Sequence, residues 1–309
     1  MRALVTGGAG FIGSHLVDAL VARGDEVRVL DDFFTGSRAN LNPAAEVYEG
    51  SVADEELARR ACEGCEVVFH LAAHKAVLRS VEHPLPTDLA NTHGTLTVLE
   101  AARARGVRRV VYASSSSVYG GTAPVPTRED APTVPRSPYA VSKLAGEHYC
   151  RVYHELYGLE TVSLRYFNVY GPRQRPDGAY AAVVPLFLRA LLDGDRPVVH
   201  GDGHQARDFT YVTDVVDANL RAASAPASRC AGRVYNVARG VETSVLELLA
   251  AAARVAGVEA EPEFAPARAG DVRRSRGDAG AAARDLDVRC EIDLETGLAR
   301  TLDALRRHG

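Results

Sequence analysis

Apolar residues follow two rhythms along the first half of the chain. Short continuous runs (RALVT, EVRVLD, EVVFHLA, RRVVYAS) alternate with longer stretches such as FIGSHLVDALVARG and LTVLEAARARG, where apolar positions recur every three or four residues. Continuous runs suit strands buried on both faces, and the longer period suits helices that cover them. The alternation predicts crossover units and an α/β fold with a Rossmann-type, doubly wound parallel sheet. A helix starting near Pro138, a strand TVSLRYF, and the pair YVTDVVDANLRAA and RVYNVA are expected to extend the same sheet.

The texture then changes. Residues 171–209 are richer in Gly, Pro and Arg, and the pattern shifts again after Gly240. TSVLELLAAAARVAG reads as a helix with Ser244 and Glu247 as a capping box and Gly257 as its terminating glycine. LETGLARTLDALRRHG reads as a second amphipathic helix, and the alanine-rich runs 222–232 and 279–284 are expected at the surface. The division predicted is a cofactor-binding sheet domain from residues 1–170 plus 210–240. Residues 171–209 plus 241–309 would form a smaller C-terminal substrate-binding domain over the strands' carboxyl ends.

Composition narrows the ligand. With 309 residues and a net charge of -4, the chain can bury a large core but has no basic field for nucleic acid or an anionic membrane. No apolar run is long enough to span a bilayer, and the opening MRALVTGG enters a strand pattern at once, so a soluble, cytoplasmic protein acting on a small molecule is expected. Five scattered cysteines describe no disulfide framework. Cys62 and Cys65 form a CxxC without a second pair or a nearby histidine, so no metal is expected there.

Candidate chemistry begins at TGGAGFIG, residues 6–13. It joins a predicted strand to a predicted helix, the junction that a dinucleotide site requires. Gly7 permits the tight turn, Gly10 lets a pyrophosphate approach backbone amides, and Gly13 lets the helix pack close to the sheet. The helix N-terminus then faces the phosphates. Eighteen residues after Gly13, the second strand ends in Asp31, placed to accept hydrogen bonds from a ribose and to repel a 2′-phosphate. NAD is therefore the cofactor expected.

In SPYAVSKLAGE, Tyr139 and Lys143 stand four apart and share one helix face. A free phenol has a pKa near ~10, too high for a base at neutral pH. A neighbouring ammonium and a positive nicotinamide ring both favour the phenolate. Alone the pair is commonplace; beside a dinucleotide turn and the hydroxyl run YASSSSVYG it reads as catalytic.

These stretches, together with HLAAHKAV, RYFNVYGPRQ, GDGHQARDFTYVTDV and RAGD, resemble the extended short-chain dehydrogenase/reductases, and within them the nucleotide-sugar 4-epimerases. The resemblance covers nearly the whole chain. It implies Tyr139 as base, Lys143 as its tuner and Ser115 as the hydroxyl on the sugar O4. It implies a cofactor site of Gly7, Gly10, Phe11, Ile12, Gly13, Asp31 and Asp32, continued by Ser51, Val52, Leu71, Ala72 and Ala73. Lys75 would reach the cofactor phosphates, Asn91 and Ser114 would line the pocket, and Tyr166 would lie against the nicotinamide. Substrate contacts would come from Ser115, Ser116 and Asn168, from Val183, Val198 and His200 at the base, and from Arg207 and Arg268 on the diphosphate. Asp271 would hold the uridine ribose.

Departures matter too. Ser51 stands where the family often has an acid touching adenine, and His200 where an aromatic commonly packs on uracil. Ser275, four after Asp271, occupies a position where bulk in some relatives excludes N-acetyl groups. GPRQRPD also resembles UDP-glucuronate 4-epimerases, in which an arginine matching Arg175 faces the sugar carboxylate.

Several relatives oxidise the sugar C4 hydroxyl first. Dehydratases then need acids just before VYG, where this chain has Ser116 and Ser117, so dehydration is disfavoured. The expected reaction is C4 epimerisation of a UDP-sugar through a 4-keto intermediate, with UDP-glucose, UDP-N-acetylglucosamine and UDP-glucuronate all open. A dehydratase and a reductase with exchangeable cofactor are the alternatives. The resemblance also implies a homodimer paired through helices near residues 90–105 and 139–157.

Overall fold

The computed structural model describes residues 1–176, 181–267 and 272–308. Six of the runs expected in the sheet lie in one seven-stranded sheet: β1 (Arg2–Thr6), β2 (Glu26–Asp31), β3 (Glu46–Glu49), β4 (Val67–His70), β5 (Arg109–Ser115), β6 (Glu160–Tyr166) and β7 (Arg233–Val237). Their order is β7-β6-β5-β4-β1-β2-β3, and every adjacent pair is parallel. The unforeseen member, β3, is a short edge strand of sequence EVYE with no apolar run to announce it.

Helices cover both faces, as parallel sheets require. On one side α1 (Phe11–Ala22) and α6 (Val212–Ser224) bury Leu16, Leu20, Val215 and Ala222 against Val5, Phe69, Val111 and Leu164. On the other, α2 (Glu55–Cys62), α3 (Gly94–Ala104) and α4 (Pro138–Tyr157) enclose Leu4, Leu30, Val68, Leu99, Tyr112 and Cys150.

Two expectations fail here. Of YVTDVVDANLRAA, only Thr210–Tyr211 is extended, pairing with Val169–Tyr170 in a separate ribbon, and the remainder is α6. Val212, Val215, Val216, Asn219 and Ala222 recur at helical spacing, so this segment is the crossover rather than a strand. Nor are the alanine-rich runs simply surface: Ala222, Ala223 and Ala282 are buried, their small side chains suiting close packing of helix on sheet.

A second apolar core joins α5 (Val183–Asp193), α7 (Val245–Ala256) and α8 (Leu294–His308) through Phe187, Leu188, Leu248, Leu249, Leu298 and Leu302, together with Tyr170, Phe209 and Tyr211. Two small ribbons attach to it: Val198–His200 beside Glu263–Ala265, and Ala206–Asp208 against Glu242–Ser244. The capping box forms as expected, with Ser244 Oγ accepting from Glu247 N–H at 3.2 Å and the Glu247 carboxylate accepting from Ser244 N–H at 2.8 Å. Gly257 ends α7 at φ +74°.

In α8, Gly297 faces Tyr170, whose hydroxyl donates to the Leu294 carbonyl at 3.3 Å, and a Cβ at Gly297 would collide with that hydroxyl. Gly297→Ala is therefore expected to destabilise the chain by about 1–3 kcal/mol through overpacking, seen as a lower urea midpoint.

Candidate active site

A continuous cleft of three chambers crosses the carboxyl ends of the strands. The first lies over the β1–α1 turn and the ends of β2, β4 and β5. The second shares Phe11, Ile12, Lys75, Ser114, Tyr139 and Tyr166 with it. Asn168 and Arg207 line both the second and the third.

The first chamber is built for a phosphate-bearing ligand. Gly7 sits at φ +71°, and a Cβ there would approach Ala72 N to 2.8 Å, while a Cβ at Gly13 would collide with the Gly7 carbonyl. Gly10 caps α1 without a side chain, and the first amide bond back to it comes from Ser14 at 3.1 Å. The amides of Phe11, Ile12 and Gly13 thus point outward unpaired within the helix, an anion site with the helix dipole behind it. Asp31 ends β2 nearly buried, its two oxygens accepting from Ala9 N–H at 2.9 Å and Phe33 N–H at 2.8 Å. Burial raises its pKa, those amides pull it down, and Asp32 raises it slightly. Each carboxylate oxygen keeps a free lone pair for a ribose hydroxyl. Asp32 is exposed and accepts from Phe34 N–H at 3.0 Å.

Ser51, Val52, Leu71, Ala72, Ala73, Lys75, Ser114, Lys143 and Tyr166 line this chamber with the glycines and Asp31. Lys75 has its ammonium held below the ordinary pKa by desolvation and by the charge of Arg175. Asn91 is placed differently from expectation. It is buried behind the wall, where Oδ1 accepts from His74 N–H at 2.7 Å and Nδ2 donates to Ser142 Oγ at 3.0 Å, and its neighbour Ala90 does the lining.

Asn91 belongs to a buried polar chain. Ala72 N–H donates to Thr6 Oγ1 at 3.2 Å; His70 Nδ1 lies 2.7 Å from Thr6 Oγ1 and Nε2 lies 2.9 Å from Thr95 Oγ1; Thr95 donates to the Asn91 carbonyl at 2.5 Å. Because that carbonyl only accepts, Thr95 must accept from His70 Nε2–H, which leaves Nδ1 to accept from Thr6. Ser142 completes the chain by donating to the Tyr139 carbonyl at 2.8 Å. Complete burial and the Lys143 charge hold the His70 pKa at about 3, so the ring is neutral.

Tyr139 and Lys143 project from the first turns of α4, whose N-terminus is set by Ser137, its Oγ accepting from Ala140 N–H at 3.1 Å, and by Pro138. Lys143 Nζ donates to the Ala113 carbonyl at 2.7 Å and lies 6.0 Å from the Tyr139 ring centroid. Burial depresses the ammonium to about 8, against smaller opposing effects of Cys150 and Glu147. Burial holds the pKa of Tyr139 above its ordinary value, with the nearby Ser115 hydroxyl opposing that shift.

Ser115 and Ser116 line the second chamber at the end of β5. A buried ion pair holds that end, Arg165 donating to Glu147 at 2.9 and 2.7 Å and to the Tyr119 hydroxyl at 2.7 Å. Asn168 and Ser275 line the same chamber; Val183, Val198, His200 and Arg207 line the third, His200 Nδ1 lying 3.2 Å from the Pro266 carbonyl. Arg175 is exposed and not among the residues lining the three chambers, whereas Gln174 lines the second. Arg268 and Asp271 lie outside the described residues. Phe34 and His74 in the first chamber, and Arg136 and Arg274 in the second, escaped the sequence analysis. Phe34 could have been suspected from its place three residues after Asp31; Arg136 carries no local signal.

This fold and cleft define a dinucleotide-dependent enzyme of the short-chain oxidoreductase type. The chain belongs to the NAD dependent epimerase/dehydratase family, whose model matches residues 3–238. It is 46% identical to a UDP-glucose 4-epimerase of Mycolicibacterium smegmatis across 99% of both chains. A Thermotoga maritima UDP-glucose 4-epimerase solved with UDP-glucose superposes with a TM-score of 0.96 at 40% identity, covering 100% of this chain and 99% of that one. A UDP-glucuronic acid 4-epimerase from Bacillus cereus, solved with a fluorinated UDP-glucuronic acid and NAD, gives 0.92 at 31% identity with full coverage of both.

The depressed His70 pKa carries a signed consequence. The unfolded chain takes up this proton near pH ~6.5 and the folded chain only near 3. Stability is therefore complete above 6.5 and falls as pH drops toward 3, with a slope of up to roughly 1.4 kcal/mol per pH unit from this group. His70→Gln is expected to be weaker at pH 7 yet lose less between pH 6.5 and 4.5 than the parent, compared by urea unfolding.

Proposed function

We propose that the protein is an isomerase that inverts C4 of a UDP-sugar with bound NAD, UDP-glucose and UDP-galactose being the primary pair. The observation that carries this reading is Tyr139 on the wall shared by two chambers, with Ser115 lining the second of them and Lys143 one helical turn on. Gly7, Gly10, Gly13 and Asp31 would hold the dinucleotide. When bound, NAD supplies a hydride acceptor and a positive ring. Tyr139 would take the proton of the C4 hydroxyl and later return it, with Ser115 holding the same oxygen. Asn168 and Arg207 would grip the diphosphate, and residues 171–209 plus 241–309 would form the sugar-nucleotide half. Among the described residues no carboxylate lines the second chamber, so nothing there is equipped to drive loss of water.

One observation favours a second reading. Arg136 lines the sugar chamber and suits a C6 carboxylate, so UDP-glucuronate belongs in the same assay.

Five unbridged cysteines fit a reducing compartment such as the cytoplasm. Leu78, Val81, Leu85 and Leu89 expose an apolar stripe beside α4, where Val141 is exposed as well, and we assign this face to a homodimer contact.

Protein denatured after desalting should release NAD, and the native enzyme should interconvert UDP-glucose and UDP-galactose without added cofactor. Tyr139→Phe should retain NAD and lose at least ~100-fold in turnover, the lower range for general acid–base groups; near-parental activity would remove Tyr139 as base. Sedimentation at micromolar concentration should show a dimer, and Leu85→Asp with Leu89→Asp should shift it to monomer.

A further inference from the structure

Sheet order places β1 between β2 and β4. A contact between the loop after β2 and the loop after β4 must therefore pass over the glycine turn that ends β1. One such contact exists: the Phe34 ring stacks on the His74 imidazole, centroids 4.0 Å apart and planes 23° from parallel. The Arg79 guanidinium also lies over Phe34, 4.6 Å from its centroid. Both rings line the first chamber.

Each side of this bridge is anchored independently. On the β2 side, Phe33 and Phe34 amides are held by Asp31 and Asp32, Phe33 adopts φ +56°, and Ser37 N–H donates to the Ala9 carbonyl at 3.0 Å. On the β4 side, the His74 backbone is held at both ends by the Asn91 amide, with distances of 2.7 and 3.3 Å. The rings are thus presented to one another from two fixed loops. Among the described residues, the buried His74 Nδ1 atom has no hydrogen-bond partner.

We infer that Phe34 and His74 form an aromatic clasp across the cofactor chamber, with Arg79 reinforcing it, and that the clasp slows escape of the dinucleotide. The inference rests on the NAD reading above and extends it. An enzyme that recycles one cofactor within every turnover gains from slow release, because no second substrate has to exchange it. Phe34 and His74 line the first chamber and are not among the residues of the second, which holds Ser115, so the clasp acts on retention and not on proton transfer. Phe34 is 44% exposed, which makes its replacement safe for folding.

The test is a chase. Holoenzyme loaded with radiolabelled NAD is diluted into excess unlabelled NAD, and retained label is followed for the parent, Phe34→Ala, His74→Ala, the double variant and Phe34→Tyr. An aromatic pair of this kind corresponds to roughly a 3- to 10-fold effect, so each alanine variant should release label faster by that factor. The double variant should be no more than about twofold faster than the faster single, since either change breaks the same stack, and Phe34→Tyr should behave like the parent. Alanine variants within twofold of the parent, or a double variant equal to the product of the singles, would overturn the clasp while leaving the cofactor reading intact. A parent that neither carries nor takes up labelled NAD would overturn the cofactor reading, and the clasp with it.

Discussion

Lys143 brings an ammonium into a site where the residue is 3% exposed and Nζ rests on the Ala113 carbonyl. Burial lowers its pKa to about 8 and raises that of Tyr139. At neutral pH an ammonium with that pKa is still mostly charged, and from 6.0 Å off the Tyr139 ring centroid it favours the phenolate. The first chamber is lined by both residues, so in the proposed function a pyridinium bound there would add a second attraction for the phenolate.

Such attraction demands rigid placement, which the interior provides by polar rather than apolar means. The chain from Thr6 through His70, Thr95, Asn91 and Ser142 to the Tyr139 carbonyl ties the ends of β1 and β4 to α4 with every participating hydroxyl used. Further along α4, Glu147 and Arg165 pin it to β5 and β6, with Ser114 donating to the same carboxylate. Buried networks of this kind contribute little net stability, but a broken member leaves its partners unsatisfied. They fix where α4 sits along the sheet.

Much of this was legible from the residues. Continuous apolar runs announced the buried strands, and the glycine spacing, Asp31, Tyr139 and Lys143 announced residues that do line the first chamber. What stayed hidden has physical reasons. EVYE at β3 is an exposed edge and has no apolar signature. The segment from Val212 to Ser224 mixes β-branched residues, which favour strands, with a helical period, and the period decides because packing on the sheet requires it. Asn91 looked like a pocket residue, yet its amide is saturated by backbone and Ser142. The Phe34–His74 contact joins residues forty apart, and no local pattern encodes a meeting that only strand order brings about.

The linear order of the three chambers bears on the fate of a reactive ketone. Groups around Asn168, Arg207 and the third chamber lie away from C4 in the proposed mode and would bind substrate, intermediate and product alike. Affinity of that indiscriminate kind does nothing for the barrier of a single chemical step. In a sequence of steps linked by an unstable species, it guards against leakage: the ketone remains moored by its nucleotide while the ring presents its opposite face. Fidelity here is a matter of residence time.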